Sequence, residues 1–307
     1  MEVYLDNSAT TRPYDEAAQV VYDTMINNYG NPSSLHRMGK RAEDLLTKSR
    51  ETIAGTIFCK PDEVYFTSGG TESDNLAIIG YALANRRRGN KIITQRTEHK
   101  AVTESFDYLE KQGFTVCRLG VDSEGRINLD ELEAELDGDT ILVSIMAVNN
   151  ETGTVMPIDE ISQMIDHAKC ALHVDAVQAY GKMKINAPRL GIDMLTMSAH
   201  KIHGPNGVGA LYIRKGLRVQ PIVMGGQQER TIRSGTENLA GIAGFAKAAE
   251  IKFASMDKTA QYVGGLKALL ADRIKNIPGA VINSPSDSLY CLLNVSFVGV
   301  RSEVLLH

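Results

Sequence analysis

Short apolar runs rich in β-branched residues recur along the chain, and longer stretches with helical spacing separate them. Segments 64–67, 91–94, 114–116, 140–146, 171–174, 193–197 and 208–213 read as strands. Several are apolar throughout instead of alternating, as strands covered on both faces should be. Strands that alternate with helices in this way predict βαβ units around a mostly parallel sheet. One helix is expected to open at Thr71 and to carry Leu76, Ile79, Gly80 and Leu83 on one face. Segment 239–275 reads as helical with a possible break at Gly264-Gly265, and a last strand is expected over 290–297, after a turn-rich stretch at 283–288. Ser302 looks like an N-cap with a short apolar run behind it, an unfinished element that suggests a truncated chain.

Polar residues gather where the predicted strands stop: Thr67-Ser68, Asn149-Asn150-Glu151, Asp175, and Ser198-Ala199-His200-Lys201. In open α/β sheets ligands sit beyond the carboxyl ends of the strands, so these groups are candidates for one crevice. A length of 307 residues allows one large domain or two unequal ones. The formal charge of −4 argues against a dedicated nucleic-acid surface, and the basic run Arg86-Arg87-Arg88 fits the last turn of a helix. Cys59, Cys117, Cys170 and Cys291 are scattered with no CxxC pair, which points to reduced thiols in a cytoplasm. The N-terminus lacks a basic segment followed by an apolar run, and no stretch has the length a membrane span needs.

Three segments carry chemistry. In Ser198–Pro205 (SAHKIHGP), Lys201 directly follows a buried-looking strand, where desolvation would favour the neutral amine that condenses with an aldehyde. A lysine on a polar surface loop is the plain alternative. In LHVDAVQ (172–178), Asp175 at a strand end could face a cationic heterocycle, or simply cap a helix. In TSGGTES (67–73), small residues and hydroxyls at a strand-to-helix turn suit a phosphate, although many α/β turns look similar. The turn is neither GxxxxGK[ST] nor GxGxxG, so a nucleotide reading lacks its signature. A phosphate cradle, a carboxylate and a lysine, in that order and each at a strand end, are together what a pyridoxal-phosphate site needs.

The whole series of motifs resembles the cysteine desulfurases of the NifS/IscS type, which are class V aminotransferase relatives. It runs YLDNSATT, NPSSLHRMG, FTSGGTESDNLAI, TEHKAV, SIMAVNNETG, HVDAVQ, SAHKIHGPNGVGALYIR and RSGTEN. TEHKAV and RSGTEN favour this branch over the SufS-like one. The resemblance implies an aminotransferase-type (fold type I) α/β fold with a seven-stranded, mostly parallel sheet flanked by helices. It also implies a large cofactor domain over 16–249, with a smaller α+β domain built from 1–15 and 250–307 and incomplete here. Lys201 would be the Schiff-base lysine for pyridoxal 5'-phosphate, and Asp175 would pair with the pyridine nitrogen. His99 would stack on the ring and help move protons, while Gly70, Thr71, Ser198 and His200 would hold the phosphate. Asn150 and Gln178 would sit by the ring and its phenolic oxygen. Thr236 would reach the phosphate of a neighbouring subunit, which implies a homodimer.

The implied reaction takes L-cysteine to L-alanine and passes persulfide sulfur to an iron–sulfur scaffold or a tRNA-thiolation protein. Nucleic acid would not be bound directly, and no membrane would be involved. The family's nucleophilic cysteine lies in a serine-rich SGSAC-like motif, which would fall beyond His307, as would the arginine for the substrate carboxylate. No cysteine in this sequence matches that motif, so the 307-residue chain is expected to bind cofactor without desulfurase turnover. Other readings are a selenocysteine lyase, an aminotransferase, or a silent cofactor-binding scaffold. A metallohydrolase using His99, His173, Asp175, His200 and His203 has only a loose ligand spacing and no HExxH.

Overall fold

The computed structural model describes residues 3–168 and 170–306. Its centre is a seven-stranded sheet: β1 (Val64–Thr67), β2 (Lys91–Gln95), β3 (Thr115–Leu119), β4 (Thr140–Met146), β5 (Ala171–Asp175), β6 (Met194–Ser198) and β7 (Gly209–Ile213). The spatial order is β1-β7-β6-β5-β4-β2-β3, and only β7 runs antiparallel to its two neighbours. The helices are α1 (Asp15–Asn27), α2 (Arg37–Thr56), α3 (Gly70–Asn75), α4 (Tyr81–Asn85), α5 (Lys100–Lys111), α6 (Leu129–Glu135), α7 (Ile158–Ala168), α8 (Leu239–Ile274) and α9 (Ser302–Leu306).

Alternate residues of each strand enter opposite apolar layers, as the period of two requires. Ile93, Val143, Leu172, Leu195 and Tyr212 pack with Ala17, Ile53, Ile161 and Phe245 from α1, α2, α7 and α8. Ile92, Leu142, Met194 and Leu211 pack with Leu76, Tyr81, Val102 and Phe106 around α3–α5. Every residue of β4 through β7 is buried, which explains the unbroken apolar runs.

Four local expectations are corrected. Between α3 and α4 the residues Leu76–Gly80 form a π-helical turn. The wider turn rotates the buried face, so Ile78 and Tyr81 are wholly buried while Ile79 and Leu83 are only partly so. Gly264-Gly265 breaks nothing: α8 runs unbroken for 36 residues, with its buried residues all before the glycines, between Leu239 and Met256. The last strand is short: β9 (Val295–Phe297) pairs with β8 (Ala280–Ile282), a partner the sequence pattern did not reveal. Residues 288–292 instead form a turn clamped by Lys267, whose Nζ donates to the carbonyls of Ser288 and Leu289 at 3.2 and 2.9 Å. Finally, Ser302 is the first residue of α9 and not its cap; the first carbonyl is that of Arg301. Among the described residues no helix is long and apolar enough to cross a membrane.

Candidate active site

Strand β6 ends in a 3₁₀ turn, Ala199–Lys201, which swings the Lys201 side chain back over the sheet end. The chain returns sharply here: His203 is left-handed at φ 65°, and a Cβ on Gly204 would lie 2.9 Å from the Ala199 carbonyl oxygen. The N-terminal segment is laid across this turn. Thr11 donates its N–H and its hydroxyl to the His200 carbonyl at 3.0 and 2.7 Å, and accepts from the His203 N–H at 2.7 Å. The Lys201 ammonium donates to the carbonyls of Ser8 and, at 2.8 Å, Ala9. Burial pulls the Lys201 amine below the ordinary lysine range, against the opposing pull of Asp175 and Asp6. A lysine with a lowered pKa, aimed into a cleft, is a nucleophile or base in waiting.

Asp175 closes β5, the strand beside β6. One carboxylate oxygen accepts the Val177 N–H at 2.8 Å. Burial raises its pKa, while that hydrogen bond, His99 and Lys201 pull it back. Asp175 makes no ion pair among the described residues, so a cationic group placed against it would be stabilised. Two further acids lie behind it. Asp74, from α3, and Glu98, from the loop after β2, are wholly buried and pushed up, Glu98 to about 8. Glu98 accepts from Gln95 Nε2 and the Met146 N–H at 2.8 and 2.7 Å, while its other oxygen and one oxygen of Asp74 lack a hydrogen-bond partner. His173 sits among them as a neutral spacer. Its ring nitrogens meet Ser144 Oγ at 2.8 Å and Thr196 Oγ1 at 3.0 Å, and burial lowers its pKa to about 3.

The turn from β1 into α3 completes the arrangement. Gly69 at φ 153° lets the backbone fold over, and Thr67 Oγ1 bonds Ser73 Oγ at 2.8 Å beneath it. Strand β7 passes so close that a Cβ on Gly209 would meet Gly69 Cα at 2.7 Å. Across the turn, Ser198 Oγ is buried with no hydrogen-bond partner. Free helix N–H groups beside an orphaned hydroxyl suit an anion.

A cavity of about 490 Å³ joins these parts. Gly70, Thr71, His99, Asn150, Asp175, Gln178, Ser198, His200 and Lys201 all line it; Thr236 does not, and stands exposed on the loop before α8. Gln178 is engaged at both ends: its amide nitrogen donates to the Ser8 carbonyl and its oxygen accepts from Lys182, at 2.9 and 2.8 Å. His99 caps α5 by accepting the Ala101 N–H on Nδ1 at 3.1 Å, which leaves Nε2 to carry the proton. Glu151, one of the strand-end polar residues, lines the cavity too, as do Asp6, Ser8, Ala9 and Asp74, which residue-level reading does not single out. The only sequence signal for these four is their place inside the YLDNSATT and GGTESDN motifs. Of the metal-type set, His99, Asp175 and His200 reach the cavity, whereas His173 is spent on Ser144 and Thr196, and His203 Nδ1 meets the Arg12 carbonyl at 2.8 Å. Among the described residues no group of three or more His, Cys, Asp or Glu is placed to hold a metal ion. The cysteines stand outside the cavity, and burial pushes the Cys59, Cys117 and Cys170 thiols up to about 12, 11 and 12.

A lysine, a buried carboxylate with no ion pair among the described residues and an anion-ready turn, each at a strand end of a mixed sheet, define a pyridoxal-phosphate enzyme of the aminotransferase architecture. The donor set fits that cofactor at its aldehyde, its ring nitrogen and its phosphate. The chain belongs to the class-V aminotransferase family, whose model matches residues 3–307, and within it to the cysteine desulfurases of the NifS/IscS type. It is 45% identical over 309 residues to the cysteine desulfurase IscS of Dictyoglomus turgidum, a match that covers 100% of this chain and 78% of that protein. A solved NifS-like protein superposes with a TM-score of 0.97 at 42% identity, covering 99% of this chain and 84% of the other. The structure of SspA in complex with cysteine gives a TM-score of 0.87 at 33% identity, with 96% and 84% covered.

Proposed function

We propose that this chain is the cofactor-binding part of a pyridoxal-phosphate-dependent cysteine desulfurase, an enzyme that removes sulfur from L-cysteine to leave L-alanine, and that these 307 residues by themselves lack the thiol for that turnover. The observation that carries the reading is the meeting of Lys201, Asp175 and the Gly70–Thr71–Ser198 cradle in one cavity. When bound, the cofactor supplies an aldehyde that joins amines and a cationic ring that draws electron density from an attached amino acid. Gly70, Thr71, Ser198 and His200 would hold its phosphate, and Asp175 would keep the ring nitrogen protonated. Lys201 Nζ, released from the Ser8 and Ala9 carbonyls, is the base for the substrate's α-proton. His99 Nε2 is the nitrogen free to exchange a proton with a thiol. The 307 residues contain no SGSAC-like segment and none of the four cysteines lines the cavity, so the attacking thiol must come from elsewhere.

The finer reading extends to the whole molecule. We place the cofactor domain at 16–249 and a smaller domain at 1–15 with 250–307. The unit is a cytoplasmic homodimer with Thr236 reaching the partner's phosphate, and it delivers sulfur to an iron–sulfur scaffold or a tRNA-thiolation protein. Scattered, unpaired thiols support the compartment. The exposed apolar face of α1, with Tyr22, Met25 and Ile26, supports a partner subunit.

The test is cofactor uptake. The chain mixed with pyridoxal phosphate should gain a visible absorption band, and borohydride should fix the cofactor's mass on Lys201; Lys201→Ala should show neither. Absence of uptake by the unsubstituted chain overturns the reading. With L-cysteine and an added thiol, alanine as product would separate sulfur removal from amino-group transfer, which releases a 2-oxo acid.

A further inference from the structure

The loop before α8 is clasped at two points that the reaction does not use. At the first, Arg50 of α2 meets Glu229 through two hydrogen bonds of 2.7 and 2.8 Å, with side-chain exposures of 9% and 1%. The same guanidinium donates to the Val64 carbonyl at 2.7 Å, and Glu229 accepts the Phe66 N–H at 3.2 Å. The loop is thereby fixed to β1, the strand that leads into the phosphate turn. At the second point, Arg233 Nε donates to Glu72 Oε1 at 2.7 Å. Glu72 follows Thr71 directly, and its other oxygen accepts the Ser68 N–H at 2.8 Å. Burial works against its charge, but the Arg233 and Ser68 bonds outweigh it and hold the carboxyl low.

Such fixing is unusual for an exposed loop, because three of its non-glycine residues, Gln227, Arg230 and Thr231, are left-handed at φ 59°, 55° and 50°. Strain of that kind persists only where the surroundings over-determine it. The phosphate turn is also open on its outer side, into a second cavity of about 320 Å³ shared by Gly70, Thr71, Ser198 and His200. From within one chain, no residue of the loop lines that opening; Thr236, three residues past Arg233, is exposed to solvent.

We propose that the Arg233–Glu72 and Arg50–Glu229 pairs are positioning residues that make the phosphate turn and the Thr236 loop one rigid unit. Each pair then serves two sites of a dimer: its own turn through Glu72, and the partner's open turn through Thr236. This rests on the proposed cofactor and dimer.

The experiment titrates full chains with pyridoxal phosphate and counts cofactor fixed by borohydride. Arg233→Gln should weaken uptake about tenfold, the scale of one charge-assisted hydrogen bond, and Arg233→Lys should recover most of it. The pair is mostly enclosed, with side-chain exposures of 20% and 13%, so the unfolding temperature of apo Arg233→Gln is measured alongside, and its uptake is compared with Arg233→Lys at temperatures where both apo chains are folded. Mixed dimers decide the trans action. One subunit carries Lys201→Ala with Arg233→Gln, so only the unsubstituted partner can fix cofactor. Its titration should shift about threefold or more relative to a mixed dimer carrying Lys201→Ala alone. An unchanged titration in the mixed dimer, unchanged uptake by the Arg233→Gln homodimer, or a monomeric loaded chain would each overturn the inference. Failure of the unsubstituted chain to take up cofactor at all would instead strike the proposed function.

Discussion

Glu98 illustrates how a residue beside the site can shape it without touching substrate. It is a wholly buried acid whose folded pKa lies at about 8, well above its unfolded value. Between pH 4.5 and 8 the unfolded chain releases this proton and the folded chain keeps it. Stability should therefore fall as pH rises through that window and level off above it. Glu98→Gln mimics the protonated form and should make the slope shallower, leaving the part that Asp74 and Asp175 contribute, a relative gain on the order of 3–5 kcal/mol at pH 8. Urea unfolding of both proteins at pH 5 and pH 8 checks this; parallel losses in the two would refute it. At this scale Lys201 and Asp175 were legible because strand ends concentrate chemistry. Glu98 and Asp74 were not, because a carboxylate in a polar-looking loop or first helical turn gives no sign that folding will bury it against another acid.

The element scale shows what periodicity can and cannot deliver. All seven central strands were readable: β4 through β7 because burial on both faces leaves few polar positions, and β1 to β3 from short β-branched and aromatic runs. The π turn at Leu76–Gly80 was not, because one extra residue in a turn leaves no compositional mark. Nor was β8, three residues paired only through β9. Gly264-Gly265 was misread because glycine's intrinsic helix penalty, though real, is too small to end a helix that packed turns precede and that Lys267 anchors just beyond. The penalty remains available to be relieved. A Cβ on Gly265 meets nothing within 4 Å, so Gly265→Ala should stabilise the protein by about 0.5–1 kcal/mol. A thermal midpoint unchanged or lowered would show that the helix is not continuous there.

At the scale of the molecule, the candidate site is a cavity assembled from segments that are far apart in sequence: the N-terminal strip, the turn after β1, the ends of β5 and β6, and the loop after β2. Cofactor that binds only the folded chain should therefore stabilise it as a whole, by about 2.7 kcal/mol at a free concentration 100 times Kd. Denaturant titrations with and without pyridoxal phosphate should separate by that amount, and the separation should shrink sharply for Lys201→Ala. Equal midpoints for the unsubstituted chain with and without cofactor would mean that the site does not bind. Topology was readable in outline from alternating elements. The N-terminal strip as a wall of the site was not, because its bonds to Lys201 span 192 and 193 positions and local pattern carries no information over such distances.

That span has a consequence during synthesis. The strip carrying Ser8 and Ala9 leaves the ribosome well before the lysine it must hold, which follows almost two hundred residues later. Until then the strip lacks its partners at 200–203, and the amine proposed to bind the aldehyde does not exist. Cofactor capture is thus one of the last events in maturation, a signal that both ends of the sheet have found each other. Conversely, a protease that trims the strip removes no strand and no helix, yet it strips both carbonyls from the amine and opens the cleft.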